Sequence, residues 1–425
     1  MKTAFINLGC PKNQVDLETI LGGLSVEITP NVENADVVII NTCAFIESAK
    51  RESIDAIFDM LQSRKKNEHL KVLVSGCLPQ RYQNELITLI PEVDKFFPST
   101  LIQNTIQEIQ EFLKIRKNPA SDRLLLTPPH YAYLRIADGC DNRCTYCAIP
   151  LIKGGYTSRT SEEIVAEAVS LVERGVKELL IIAQDTTFFG HDLNNGMNLS
   201  RLLQQLDGVE GLSWIRLLYT HPAHWSDALI DTMASLEKVA PYADIPIQHI
   251  SDSLLSRMGR KVTRAQIEQL LDNIRRHIPG LALRTSIITG FPGETDQDFL
   301  QLIDFIEHVQ FDHLGVFTYS REEGTPAFKL KDNIPEEVKL ERQREIMRIQ
   351  GEIVAEKNDR IIGNSIQVLV DEIDFENNRA LGHSRWSAPE IDGNILLGGN
   401  VLQGEFYQVR ITGSEMFDLI GELDN

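Results

Sequence analysis

The stretch Ile136-Ala-Asp-Gly-Cys140-Asp-Asn-Arg-Cys144-Thr-Tyr-Cys147 decides how this chain is read. Its cysteines stand as C-x3-C-x2-C. Three thiolates this close on one loop can hold three corners of a cubane iron–sulfur cluster and leave the fourth iron open to a small molecule. A structural zinc site needs four closed ligands, and the loop supplies three. His130, the nearest upstream imidazole, sits across a whole strand. Tyr146, between the last two cysteines, is either a core tyrosine or an aromatic that packs on a nucleoside.

Outward from the loop, the remaining cysteines repeat the count. Cys10, Cys43 and Cys77 lie 33 and 34 residues apart, each just past an apolar, strand-like run, and none of the six cysteines is left over. Two groups of three imply two [4Fe-4S] clusters, each with one iron lacking a protein ligand. Buried small hydrophobes are the bland alternative for single cysteines, but three at matching strand ends argue for a shared site.

The first 120 or so residues alternate strand (4–8, 36–41, 71–75) and helix (14–24, 45–61, 81–90). Such alternation predicts a parallel sheet flanked by helices, whose working edge lies at the carboxyl ends of the strands. Thr127-Pro-Pro-His130 marks a boundary. Strands then follow at 131–136, 178–183, 214–218, 243–247, 282–289 and 313–317, with helices between, as in a partial or full β/α barrel. Thr160-Ser-Glu-Glu163 reads as a capping box. Residues 335–360 read as one long charged helix with Pro335 near its first position. The rest is Gly-rich and alternating, which predicts a small antiparallel β-barrel. The class is α/β with three expected domains: 1–125, 126–358 and 359–425.

The chain has 425 residues, 42% of them hydrophobic, with no run of about 20 apolar residues to span a membrane. Its first residues read as a strand rather than a signal peptide. The expected location is cytoplasmic, where grouped cysteines mean metal or catalysis more often than disulfides. The net charge of −19 disfavours a nucleic-acid partner and favours a basic one. Residues 361–425 hold eleven carboxylates against three arginines, a net of −8.

C-x3-C-[aromatic]-C resembles the signature of radical S-adenosylmethionine enzymes. The resemblance implies that the open iron binds S-adenosylmethionine, which is cleaved reductively to a 5′-deoxyadenosyl radical. Ile245-Pro-Ile-Gln-His249 and Ile287-Ile-Thr-Gly-Phe-Pro-Gly-Glu294 look like segments that hold the cofactor, making Gln248, Gly290, Gly293 and Glu294, with Tyr146, its candidate contacts. Leu8-Gly-Cys-Pro-Lys-Asn-Gln-Val-Asp16, Asn41-Thr-Cys-Ala-Phe-Ile-Glu47 and Ser75-Gly-Cys-Leu-Pro-Gln-Arg81 resemble the auxiliary-cluster segments of methylthiotransferases. The three-domain order, ending in a TRAM-like barrel, is also theirs.

Members acting on tRNA usually read Gly-Cys-x-Met-Asn at the first segment; here it is Gly9-Cys-Pro-Lys-Asn13. With Gly382-His-Ser-Arg-Trp-Ser-Ala-Pro-Glu-Ile-Asp-Gly393, it is similar to members that modify one aspartate of small-subunit ribosomal protein twelve. That implies a basic ribosomal protein, or the small subunit, as partner, and an electron donor such as flavodoxin or ferredoxin. The alternatives are a tRNA adenosine methylthiotransferase and a zinc-bearing ribosome-binding module without chemistry. Lys153-Gly154 stands where the family has Arg-Gly, keeping the charge but losing the planar fork, and Asp138 stands where Glu is frequent.

Overall fold

The computed structural model describes residues 1–98, 101–116, 123–374, 376 and 379–424. They form two compact units. One contains Met1–Leu126, Asp138–Tyr156 and Ser320–Phe328; the other contains Thr127–Ala137, Thr157–Tyr319 and Lys329–Asn425.

The first unit is built on five parallel strands in the order Glu27–Ile28, Lys2–Asn7, Val37–Thr42, Lys71–Gly76, Lys95–Pro98. The central strand is buried along its whole length, so it reads as a continuous apolar run rather than an alternating one. Its side chains still alternate between faces. Val38 and Ile40 pack with Ile57, Leu78 and Leu86 on one side. Val37 and Ile39 pack with Leu17, Ile20, Ile106 and Ile109 on the other. The expected strands and helices are present. The two outer strands are two and four residues long, too short to show a period in sequence.

The second unit carries six parallel strands in chain order: Tyr131–Arg135, Glu178–Ile182 and Trp214–Leu217 in one sheet, then Tyr242–Asp244, Ala282–Thr289 and His313–Thr318 in another. A parallel bridge between Ile215 and Val239 leads from one sheet toward the other. The fourth strand stops at Asp244, short of the expected 247, because Pro246 has no N–H for the ladder. The chain rejoins at Gln248, whose N–H donates to Ser286 O at 2.9 Å. The Thr160 capping box is present. The long helix is Glu336–Ile361, and Pro335 is its N-cap rather than its first residue.

Ser365–Asp374, Arg379–Ser384, Ile395–Leu397, Phe406–Glu415 and Asp418–Leu423 close into a barrel. Its pairs are antiparallel apart from Ile395–Leu397 against Asp418–Leu423, which run parallel. A buried ionic network joins this barrel to the strands of the same unit. His383 Nδ1 meets Asp371 Oδ2 at 2.7 Å, and its Nε2 is bonded to Glu178. Glu178 Oε1 takes Arg216 Nε–H at 2.7 Å, and His130 Nε2 lies 2.9 Å from Asp371 Oδ1. Burial alone would lower His383, but Glu178 and Asp371 raise it to about 9.

Candidate metal centre

Cys10, Cys43 and Cys77 follow three neighbouring parallel strands, so their adjacency comes from sheet order. Cys10 is the N-cap of helix Pro11–Gly23, and Cys77 opens helix Cys77–Leu89. Two glycines permit the close approach. A Cβ on Gly9 would lie 2.8 Å from Cys43 Cβ, and one on Gly76 would lie 2.4 Å from Thr42 O. Asn13 then ties the segments together. Its Nδ2 donates to Leu8 O at 2.6 Å and to Thr42 O at 3.1 Å. Its main-chain oxygen accepts from Asn41 Nδ2 at 2.7 Å, and its Oδ1 lies 3.8 Å from Cys77 Sγ. Ser53 Oγ fixes Cys43 by donating to its carbonyl at 2.8 Å and accepting from its N–H at 3.0 Å. Burial pushes the Cys43 and Cys77 thiols up; a bound metal would deprotonate them outright.

The second triad lies in the same compact unit. Gly139 at φ +72 lets the loop close on itself, since a Cβ there would lie 2.0 Å from Gly155 O. Cys140 N–H donates to Gly154 O at 3.2 Å, and Cys147 N–H to Cys144 O at 3.1 Å. Tyr146 is half-buried. Directly behind the loop, Ala148 and Ile152 enter the core of the N-terminal sheet. Lys153 Nζ is buried and pairs with Asp16 Oδ2 at 2.8 Å, with Asp138 Oδ2 at 3.9 Å. Burial would lower the ammonium, but Asp16 and Asp138 raise it. This lysine therefore ties the segment after Cys147 to the helix after Cys10.

All six cysteines are free. Among the described residues, the one set of three metal-type donors within 4.8 Å of one another is Asp185, His221 and His224. Soft thiols, three at each place, suit a cubane with one open iron.

In the second unit, Gln248 is half-buried and holds φ +71 at its strand end. Non-glycine residues in that region store strain, which functional sites often carry. Glu294 turns inward. Its Oε1 pairs with Arg342 NH1 at 2.8 Å, and its Oε2 accepts the Gly290 N–H. Gly290 and Gly293 hold positive φ, +74 and +89, and at Gly290 a Cβ would also lie 2.2 Å from Lys339 Cγ. The sequence reading passed over Asp185, His221 and His224, which follow the strands Glu178–Ile182 and Trp214–Leu217. The strand-end rule that singled out the N-terminal cysteines would have found them.

Three family models match: the Radical SAM superfamily over residues 134–306, the uncharacterized protein family UPF0004 over 2–98, and the TRAM domain over 362–423. The chain is 45% identical to the ribosomal protein uS12 methylthiotransferase RimO of Acetivibrio thermocellus, covering 100% of this chain and 98% of that one. It is 45% identical to the protein of the same name from Geobacter sulfurreducens, covering 99% and 98%. Among solved structures it is similar in fold to the radical S-adenosylmethionine methyltransferase TsrM of Kitasatospora setae, seen with cobalamin and a [4Fe-4S] cluster. That match has a TM-score of 0.57 and 14% identity over 77% of this chain and 76% of that one. The cobalamin-dependent radical enzyme OxsB, seen with aqua-cobalamin and S-adenosylmethionine, matches with a TM-score of 0.51 and 13% identity over 77% and 54%.

Proposed function

The chain belongs to the RimO family of ribosomal protein uS12 methylthiotransferases, and from that premise we propose that it adds a methylthio group to the β-carbon of one aspartate of uS12. Cys140, Cys144 and Cys147 hold one [4Fe-4S] cluster. Cys10, Cys43 and Cys77 hold a second, auxiliary one. When bound, the clusters and S-adenosylmethionine supply the radical that takes hydrogen from an unactivated carbon and the methylated sulfur that replaces it.

The chain's own residues supply position. Asn13 sets the spacing of the auxiliary thiols, and Lys153 places a fixed positive charge beside Asp16, where two thiolate-bound clusters would accumulate negative charge. Tyr146, Gln248 and the backbone of the Gly290–Gly293 turn are the candidate cofactor contacts. Glu294 serves them by holding the turn closed. The expected setting is the cytoplasm, with a flavodoxin or ferredoxin as electron donor. No helix among the described residues is long and apolar enough to cross a membrane.

The observation that carries this reading is the meeting of Cys10, Cys43 and Cys77 at one sheet edge. Changing Cys140, Cys144 and Cys147 together to Ala should remove about half the iron and sulfide of anaerobically purified protein. The same change at Cys10, Cys43 and Cys77 should remove the other half, leaving 5′-deoxyadenosine formation but no methylthio product on uS12 by mass spectrometry. Zinc in place of iron, or product on tRNA but not on uS12, would overturn the reading.

A further inference from the structure

Asp185, His221 and His224 form a hydrogen-bonded cluster that the reaction above does not use. All three follow the carboxyl ends of adjacent parallel strands, the edge where α/β proteins bind ligands. Asp185 Oδ2 lies 2.7 Å from His224 Nδ1, and its Oδ1 accepts from Thr187 Oγ1 at 2.6 Å. Burial alone would raise the Asp185 carboxyl, but these bonds and the nearby histidines hold it below the usual carboxylate range. It is therefore ionised and accepts, so His224 Nδ1 carries the proton and Nε2 is the outward edge. His224 is the accessible member, with 20% of its side chain exposed. Its ring stacks on His221 at 4.9 Å and leans on Phe188 at 5.0 Å.

His221 is locked in one tautomer. Its main-chain N–H donates to Thr187 Oγ1 at 3.0 Å, and its ring Nδ1 accepts from the Ala223 main-chain N–H at 3.2 Å. A neutral imidazole carries a single N–H, so the proton sits on Nε2. Among the described residues that Nε2 is buried with no hydrogen-bond partner. Burial, then the Arg260 guanidinium, push His221 down to about 2, with His224 and Lys261 adding to the effect and Asp185 opposing it. This neutral donor thus lies near the Arg260 and Lys261 cations on one side and the Asp185 carboxylate on the other.

One carboxylate and two imidazoles also match a divalent transition-metal site. The tautomer argues against that. A metal on His221 Nε2 would move the proton to Nδ1, where the Ala223 N–H already points.

We propose that His221 forms a carboxylate-binding site, with its Nε2–H as the donor and Asp185 and Thr187 as positioning residues. Arg260 and Lys261 supply the field that attracts an anion. The site rests on the functional reading above, which offers two carboxylates: the side chain of the target aspartate and the methionyl end of S-adenosylmethionine.

The test compares His221→Phe, which keeps a ring stacked on His224 without nitrogens, and His221→Gln, which restores a donor near Nε2, with the wild-type holoenzyme. Loss of a hydrogen bond to a charged group should weaken binding about 10- to 100-fold in the Phe variant, with partial recovery in the Gln variant. A rise confined to the KM for uS12 assigns the aspartate; a rise in the Kd for S-adenosylmethionine assigns the methionyl carboxylate. Neither rise in a folded, iron-replete variant overturns the site. So does a stoichiometric non-iron divalent metal in the wild type that the Phe variant lacks. Should the Phe variant fail to fold, wild type decides. Equal binding of uS12 and its Asp→Asn form, together with equal binding of S-adenosylmethionine and its decarboxylated analogue, overturns the site. Wild type that makes no methylthio product on uS12 removes the functional reading instead, and the cofactor pair still tests the site.

Discussion

Asn13 does at the residue scale what no cysteine can do for itself. Its one amide group donates to carbonyls two residues before Cys10 and one residue before Cys43, while its oxygen faces Cys77 Sγ. Asn13→Asp would set a carboxylate oxygen against both carbonyls. Asn13→Ala would leave two carbonyls short of a donor, at about 1–3 kcal/mol each if water cannot reach them. In a background lacking Cys140, Cys144 and Cys147, the Asp change should reduce bound iron more than the Ala change. It should also alter the electron paramagnetic resonance signal of the iron that remains. Full iron with an unchanged spectrum in the Asp variant would show that the triad sets its own spacing. Asn13 was legible only as part of a family segment; its role needed two neighbouring strands to bring their carbonyls to it.

At the scale of elements, the junctions rather than the strands carry the constraint. The strand Lys71–Gly76 passes straight into the helix Cys77–Leu89 through Gly76, at φ +99 with Thr42 O against its missing side chain. Gly154, at φ +75, has open space where a Cβ would go. Gly76→Ala therefore combines backbone strain with a clash, and Gly154→Ala only the strain. The first should cost a few kcal/mol beyond the second, which alone costs of order 1–3 kcal/mol. Denaturant midpoints of the two purified variants, with iron counts, measure the difference; equal midpoints would remove the clash from the argument. The alternating elements were readable because period and length are local. The early end of the fourth strand was also readable at Pro246, although the expectation ran past it. The return of Gln248 to the ladder at positive φ was not, since it depends on the neighbouring strand Ala282–Thr289.

At the scale of the whole molecule, charge divides between surface and interior. Asp371 and Asp392, which look like surface acids of the C-terminal barrel, are both hydrogen-bonded inside their unit, to His383 and His130 and to Tyr242. Asp371 is therefore not a free surface charge of that barrel. Its network predicts a pH dependence. His383 is raised to about 9 when folded against roughly 6.5 unfolded. Its contribution, about 3 kcal/mol, is thus complete below pH 6.5 and is lost as pH rises through 9. Glu178 and Asp371 are held low by their partners even though burial opposes it. Their contribution is present above the ordinary carboxylate range and is lost as pH falls through it. Stability should be greatest between these limits. His383→Phe should remove the alkaline slope while destabilising the fold, because Asp371 loses a partner. Chemical denaturation from pH 6 to 10 tests this, and an unchanged slope in the variant would place the titration elsewhere. By itself the sequence determined what is local: the cysteine spacings, the alternation of strands and helices, and the net acidity. Those follow from residue type and short-range period. Only the tertiary structure decided that the loop of Cys140 packs with the N-terminal sheet, that Glu294 faces inward, and that Asp185 meets His221 and His224. Each depends on which distant segments lie side by side, and burial and electrostatics are set by those neighbours.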